Sequence, residues 1–265
     1  MFQKKVVVIT GAGSGIGRAL AIEFAGEGAL LALADINAQA LAESLSLLPQ
    51  GSQARSYLLD VTSRDAVFQF AEDVVREFGY AHFVINNAGT SVLATVEHTT
   101  MEVFENVLAI NLWGVIYGTK AFLPILLKQR EGCIVNVSSV FGLLATPCAA
   151  AYTISKFAVR ALTETLWQEL PGSGVRAVLV HPGGINTNIS NDQNNVFQGP
   201  MELKVKEANL RQMTTTPQAC AKQVVEGLRR GKPRLLVGNG ANILHWISRL
   251  LPDSYGTLVR HKLGL

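Results

Sequence analysis

Tyr152 and Lys156 stand four residues apart in Tyr152-Thr153-Ile154-Ser155-Lys156. On a helix that spacing puts both side chains on one face, one turn from each other. A free phenol ionises at about pH 10. A fixed ammonium beside it favours the phenolate and brings that value toward working pH. A tyrosine so placed can take the proton of an alcohol or return one to a forming alkoxide. Ordinary solvent-facing helices carry the same spacing, so the pair gains meaning only from the rest of the chain.

The helix itself is predicted by the apolar pattern of Phe157, Ala158, Val159, Ala161, Leu162 and Leu166. A strand over Cys133 to Val137 precedes it and leads into Ser138-Ser139. At the other end of the chain, Val6-Val7-Val8-Ile9 reads as a buried parallel strand. Thr10-Gly11-Ala12-Gly13-Ser14-Gly15-Ile16-Gly17 and a helical pattern through Leu20, Phe24 and Ala25 follow. Strand, glycine turn and helix form a dinucleotide site: glycines let the backbone approach a pyrophosphate at the positive helix N-terminus. A purely structural tight turn also needs glycine, but the spacing Gly11, Gly15, Gly17 is the more specific variant.

A second strand, Ala29 to Ala34, ends at Asp35. An acid there accepts hydrogen bonds from the adenosine ribose and repels a 2′-phosphate. Capping of the helix starting near Asn37 is the competing role for Asp35. Further strands are expected at Arg55 to Leu59, running to Asp60-Val61, at Phe83 to Ile85, at Val175 to Val180 and at Arg234 to Val237. The fourth opens into Asn86-Asn87-Ala88-Gly89, at the strand end where open parallel sheets bind ligands. The sixth opens into His181-Pro182-Gly183-Gly184-Ile185-Asn186-Thr187. Ser63 and Gly79 bracket a helix over Asp65 to Phe78. Met101 to Gln129 is mostly helical, with Asn111 inside it; that buried amide must bond backbone groups or hold water.

The chain has 265 residues, 48% hydrophobic and 16% charged. This suits one α/β domain whose sheet is covered on both faces. A net charge of +3 without a dense basic stripe argues against nucleic acid. Three scattered cysteines, Cys133, Cys148 and Cys220, point to a reducing, cytoplasmic setting. Cys148 has no base beside it. His82, His98, His181, His245 and His261 share no metal-ligating spacing, so no metal is expected and all five read as structural or surface residues. Lys4-Lys5 and four apolar residues are too short for a signal peptide. Gly132 to Ser155 lacks charge over a membrane-like length, but Asn136, Ser138, Ser139, Gly142 and Pro147 mark it as strand and loop, so no transmembrane span is expected.

Residues 188–216 read as a substrate lid with a short helix from Met201 to Gln212. The apolar tail 241–265 could pack on the body, on a neighbouring subunit or on a membrane surface, packing being favoured. Val140, Phe141, Leu143, Leu144, Cys148, Val196, Phe197 and Met201 are candidates for an apolar substrate pocket, and each could instead be ordinary core.

Taken together, Thr10 to Gly17, Asp60-Val61, Asn86 to Gly89, Asn111, Ser139, Tyr152 with Lys156, and Pro182-Gly183 with Thr187 resemble the short-chain dehydrogenase/reductase family in its compact subtype. They occur in the family's order along nearly the whole chain. The resemblance implies a Rossmann-like, doubly wound fold with a seven-stranded parallel sheet between two helical layers. It implies that Tyr152 is the general acid/base and that Lys156 holds the nicotinamide ribose and lowers the phenol's pKa. Ser139, thirteen residues before Tyr152, would orient the substrate oxygen, and Asn111 would anchor a water linking Lys156 to solvent. Gly11, Ser14, Ile16 and Gly17 would line the pyrophosphate, Asp35 the adenosine ribose, and Asp60 and Val61 the adenine. Asn87, within the loop that includes Ala88 and Gly89, would sit on the nicotinamide-side ribose. Pro182, Gly183, Ile185 and Thr187 would lie along the nicotinamide. Ser14 and Ile36 stand where NADP-preferring members carry a basic residue, so NAD is preferred and NADP possible.

The implied function is NAD(P)-dependent interconversion of a secondary alcohol and a ketone, with Ser139, Val140, Phe141 and Tyr152 on the substrate. The alternatives are an epimerase or dehydratase that uses bound NAD transiently, and a non-catalytic nucleotide-binding regulator. A homodimer or homotetramer is implied, paired through Ala121, Phe122, Ile125, Leu126, Ala158, Leu162, Leu166 and Trp167 unless those faces bury on their own sheet.

Overall fold

The computed structural model describes residues 1–187, 189, 199–263 and 265. Seven parallel strands form one sheet: β1 (Val6–Thr10), β2 (Leu30–Asp35), β3 (Gln53–Leu58), β4 (Phe83–Asn86), β5 (Gly132–Val137), β6 (Val175–Pro182) and β7 (Arg234–Val237), in the order β3-β2-β1-β4-β5-β6-β7. Successive side chains on a strand point to opposite faces, and here both faces are buried. Val7, Ile9, Leu31 and Leu33 pack under helices α1 (Gly15–Gly26) and α2 (Ala38–Ser46). Val6, Val8 and Ala32 pack on the other face, against α3 (Arg64–Phe78). This two-sided burial is why the central strands are unbroken apolar runs.

The chain runs outward from β1 through β2 to β3 and returns to β4 beside β1. That reversal leaves a crevice at the C-terminal strand ends, where such sheets bind ligands.

The edge strand β3 begins two residues before its expected start, since it pairs with β2 only and its largely exposed residues carry no apolar run. Ser63 caps α3 by accepting a bond from Ala66 N, and Gly79 ends it with φ 84°. The long helical stretch is divided into α4 (Met101–Leu108), a π-helical turn over Ala109–Trp113, and α5 (Gly114–Gln129). By length and composition Met101–Gln129 could cross a membrane, but α5 packs on β4, β5 and α3 as a core helix.

The catalytic-type pair lies on α6 (Ala150–Glu169). α7 (Pro200–Gln212) is the short helix expected within the lid region, and α8 (Pro217–Arg229) packs on α1. The tail forms α9 (Ala241–Leu250) and α10 (Tyr255–Lys262) and folds onto the body: Ala145 N donates to Tyr255 Oη at 3.1 Å. Ala121, Phe122, Leu126 and Leu166, expected as subunit-pairing residues, are buried in the chain's own core. They face the sheet, and the exposed large apolar residues of α6 are Ile154 and Phe157.

Candidate active site

A cavity of about 730 Å³ opens along the C-terminal ends of the strands. Its cofactor-type arm begins at the turn after β1. Gly11 adopts φ +66°, and a Cβ there would lie 2.8 Å from Ala88 Cα. Gly17 does not line the cavity: a Cβ on it would meet Gly11 O at 2.0 Å, so its part is to let α1 approach the turn. Gly11, Ser14, Gly15 and Ile16 do line it. Ser14 is the N-cap of α1 but makes no side-chain capping bond, and the first turn contains no acid. The N–H groups there are left for an anion, which fits a pyrophosphate.

Asp35 closes this arm. Its Oδ2 accepts from Gly13 N at 2.8 Å and its Oδ1 from Asn37 N at 3.0 Å. The helix N-cap is Asn37, whose Oδ1 accepts from Ala40 N at 3.0 Å, which answers the competing reading of Asp35. The nearby cation, Arg18, is occupied by Ser44, Glu43 and the Gly13 carbonyl and does not line the cavity. Asp60 and Val61 line the same arm, with Asp60 Oδ1 fixed by Thr62 N at 2.9 Å. The arrangement fits the adenosine and pyrophosphate of a nicotinamide dinucleotide.

Thr10, not singled out by its sequence context, ties the strand ends together. Its Oγ1 accepts from Asn87 N and Ala88 N at 3.1 Å, and Asn87 Nδ2 donates to Thr10 O at 3.0 Å. Asn87, Ala88 and Gly89 all line the cavity, as do Pro182, Gly183, Ile185 and Thr187 on the opposite wall.

Ser139, Tyr152 and Lys156 lie together on the cavity wall. Ser138 Oγ donates to Lys156 O at 2.8 Å, so its hydroxyl is engaged structurally. Ser139 Oγ accepts from Phe141 N at 3.2 Å, and the same hydroxyl is near enough to the Tyr152 phenol to favour its ionised form. Lys156 Nζ donates to Val137 O at 3.1 Å and lies 5.5 Å from the Tyr152 ring centre. Burial lowers the Lys156 pKa to about 8. Against expectation, the Tyr152 pKa is raised: burial strips water from the phenolate, and the nearby Ser139 hydroxyl offsets this only in part.

Asn111 is fully buried in the π-helical turn. Its Nδ2 donates to Thr90 O at 2.9 Å and Ser155 Oγ at 3.1 Å, and its Oδ1 accepts from Thr90 N at 2.8 Å. These bonds let the side chain clamp the loop after β4 to α6.

Val140, Phe141 and Leu144 line the other arm, where a substrate is expected, with the Phe141 ring edge-on to Tyr152 at 6.0 Å. Leu143 and Cys148 are buried outside the lining, and Met201 points to solvent from α7. Burial raises the Cys148 thiol to about 11, which makes it inert. Val196 and Phe197 fall outside the described residues. Among the described residues the arm is also walled by Val205 of α7, by Met213 at its end and by Leu244, Ile247 and Val259 of the tail. The tail's apolar character is visible in the sequence; that one of its faces closes this cavity required the fold. Among the described residues no cluster of His, Cys, Asp or Glu could hold a metal.

A family model for the short chain dehydrogenases matches residues 5–196. The chain is 41% identical to SadH of Mycobacterium tuberculosis over 262 residues, covering 97% of this chain and 95% of that protein. It is 32% identical to estradiol 17-beta-dehydrogenase 11 of Mus musculus over 267 residues, covering 98% and 84%. Among solved structures, a short chain dehydrogenase/reductase from Burkholderia phymatum in complex with NAD superposes with a TM-score of 0.83. The identity there is 32%, over 88% of this chain and 89% of that one. With its seven-stranded parallel sheet and the glycine turn at the β1 end, the chain belongs to the short-chain dehydrogenase/reductase family of oxidoreductases.

Proposed function

We propose that this protein is an NAD-dependent oxidoreductase that interconverts an apolar secondary alcohol and its ketone, with Tyr152 as general acid/base. The observation that carries this reading is the placement of Ser139, Tyr152 and Lys156 on one wall of the cavity whose other arm contains Asp35 and the glycine turn. When bound, the nicotinamide ring supplies the hydride acceptor for oxidation and the donor for reduction. The chain's own residues do the rest. Ser139 Oγ and the Tyr152 phenol hold the substrate oxygen, and Tyr152 takes its proton in oxidation and returns it in reduction. Lys156 holds the nicotinamide-side ribose together with Asn87. Asn111 keeps the loop after β4 in register with α6.

The Asp35 carboxylate, held by two backbone N–H groups, favours ribose hydroxyls over a 2′-phosphate. The apolar substrate arm supports a lipophilic substrate, and so does the name of the mouse relative, an estradiol dehydrogenase.

Nicotinamide absorbance during incubation with NAD or NADP and a panel of alcohols (2-propanol, 2-octanol, cyclohexanol, estradiol) tests the reading. Net NADH formation with at least one apolar alcohol supports it. Product without net nicotinamide change would favour an epimerase or dehydratase, and binding without product a regulatory protein.

A further inference from the structure

His181 is fully buried at the C-terminal end of β6. Its Nδ1 lies 2.7 Å from the main-chain oxygen of Ser139. A carbonyl can only accept, so Nδ1 carries the proton and Nε2 is left as an acceptor. Facing Nε2 at 3.0 Å is Arg234 Nη1, which can only donate. The imidazole tautomer is therefore fixed from both sides. Behind it, Arg234 Nη2 donates to Glu164 Oε1 at 2.5 Å, and Arg160 Nε donates to the same oxygen at 2.7 Å. The Trp167 ring lies 5.0 Å from the Arg234 guanidinium, and its Nε1–H donates to Ala177 O at 2.9 Å.

The connectivity is the point. Glu164, Arg160 and Trp167 lie on α6, the helix that bears Tyr152 and Lys156. Arg234 begins β7 and His181 lies near the end of β6. A path of bonds thus leaves α6, crosses two strands and arrives at Ser139, whose side chain lines the same cavity wall as Tyr152 of α6. The same Ser139 carbonyl accepts from Gly142 N at 2.9 Å. Burial holds the His181 pKa down, to about 4, with Arg234, Arg160 and His245 acting in the same direction against the Ser139 carbonyl, so the ring is neutral at working pH. Stability alone does not call for this set: burying an imidazole with an ion pair behind it brings a desolvation penalty that the bonds only offset, and apolar residues of like volume do as well.

We propose that His181 is a positioning residue: clamped by Arg234 and Glu164, it fixes the Ser139 carbonyl and so aims Ser139 Oγ at the oxygen that Tyr152 protonates. The inference rests on the reading of Ser139 and Tyr152 given above. Displacement of a reacting group by about 1 Å lowers rates by up to about 100-fold, which sets the size of the effect.

The test compares the full chain with His181→Leu, His181→Asn, Arg234→Gln and Ser139→Ala. The Asn amide can still donate to the Ser139 carbonyl. Two readouts are taken: kcat and KM for NAD-dependent oxidation of 2-octanol, and hydrogen exchange at the Gly142 amide without cofactor. In His181→Leu, kcat is expected to fall about 10- to 100-fold, with NADH affinity unchanged and Gly142 exchanging faster. His181→Asn should recover most of both, and Arg234→Gln should show a smaller loss of the same kind, which decides the matter if the Leu variant does not fold. Wild-type kcat in His181→Leu, or Leu and Asn variants equally impaired, would overturn the proposal. If Ser139→Ala keeps full turnover, or 2-octanol is not oxidised at all, the reading of the active site is what fails. Gly142 exchange then still decides on the clamp: acceleration upholds the hold on the Ser139 carbonyl, and an unchanged rate removes it.

Discussion

At the residue scale, burial shifts the ionisation of both Tyr152 and Lys156. Tyr152, Lys156 and Ser139 are recognisable by type and spacing, and the structure brings all three to one wall. What spacing could not show is burial. A pair four apart implies an ammonium that lowers a phenol's pKa; here desolvation acts on both, lowering the lysine from 10.5 to about 8 and raising the tyrosine. The lysine shift has a signed consequence. Between about pH 8 and 10.5 the unfolded chain holds a proton on Lys156 that the folded chain does not, so stability attributable to this group rises with pH across that window. Replacing Lys156 by Met should remove that rise, a difference of the order of 3 kcal/mol, read from urea midpoints at the two ends of the window. At Asp35 the prediction concerns selectivity. Asp35→Ala should erase a preference for NADH over NADPH in equilibrium binding; an NADPH preference in the unaltered protein would contradict the assignment.

At the element scale, legibility followed burial. β1, β2 and β5 are covered on both faces, so their apolar runs are plain in the sequence. β3 lies at the edge and half faces solvent, and its limits shifted accordingly. The π-helical turn around Asn111 has no signature, because Ala-Ile-Asn-Leu-Trp satisfies the same helical pattern as its neighbours. The anchor of α7 was equally hidden. Glu202 is buried and accepts from Thr95 N at 3.1 Å, with His98 Nδ1 at 3.2 Å. Burial opposes its ionisation, yet these bonds, with its own backbone N–H, hold its pKa below the usual value. Glu202→Ala leaves Thr95 N without its acceptor and should destabilise the fold by about 1–3 kcal/mol. Because α7 walls the substrate arm, KM for 2-octanol should rise while NADH affinity stays the same. Calorimetry and steady-state kinetics read the two effects.

At the scale of the whole molecule, the sheet reversal makes the crevice, the glycine turn and Asp35 form one arm, and α7 with the tail forms the other. The tail was legible as apolar but neither as two helices nor as a wall of the site, since only the fold says which surface its faces meet. Ile247 lines the arm far along the chain from Tyr152. Ile247→Ser should lower kcat/KM for 2-octanol by about fivefold or more, roughly 1 kcal/mol of lost apolar contact, and leave 2-propanol unaffected. Ile154 and Phe157 remain exposed on α6, and a homo-oligomer paired through that face should fall apart in Phe157→Glu, as read by sedimentation. The most direct test of the central claim is single-turnover hydride transfer from a secondary alcohol to NAD in Tyr152→Phe, with cofactor affinity measured alongside. Loss of the step by about 100-fold or more, with NADH affinity intact, is the predicted result; transfer at the unaltered rate would show that Tyr152 is not the acid/base.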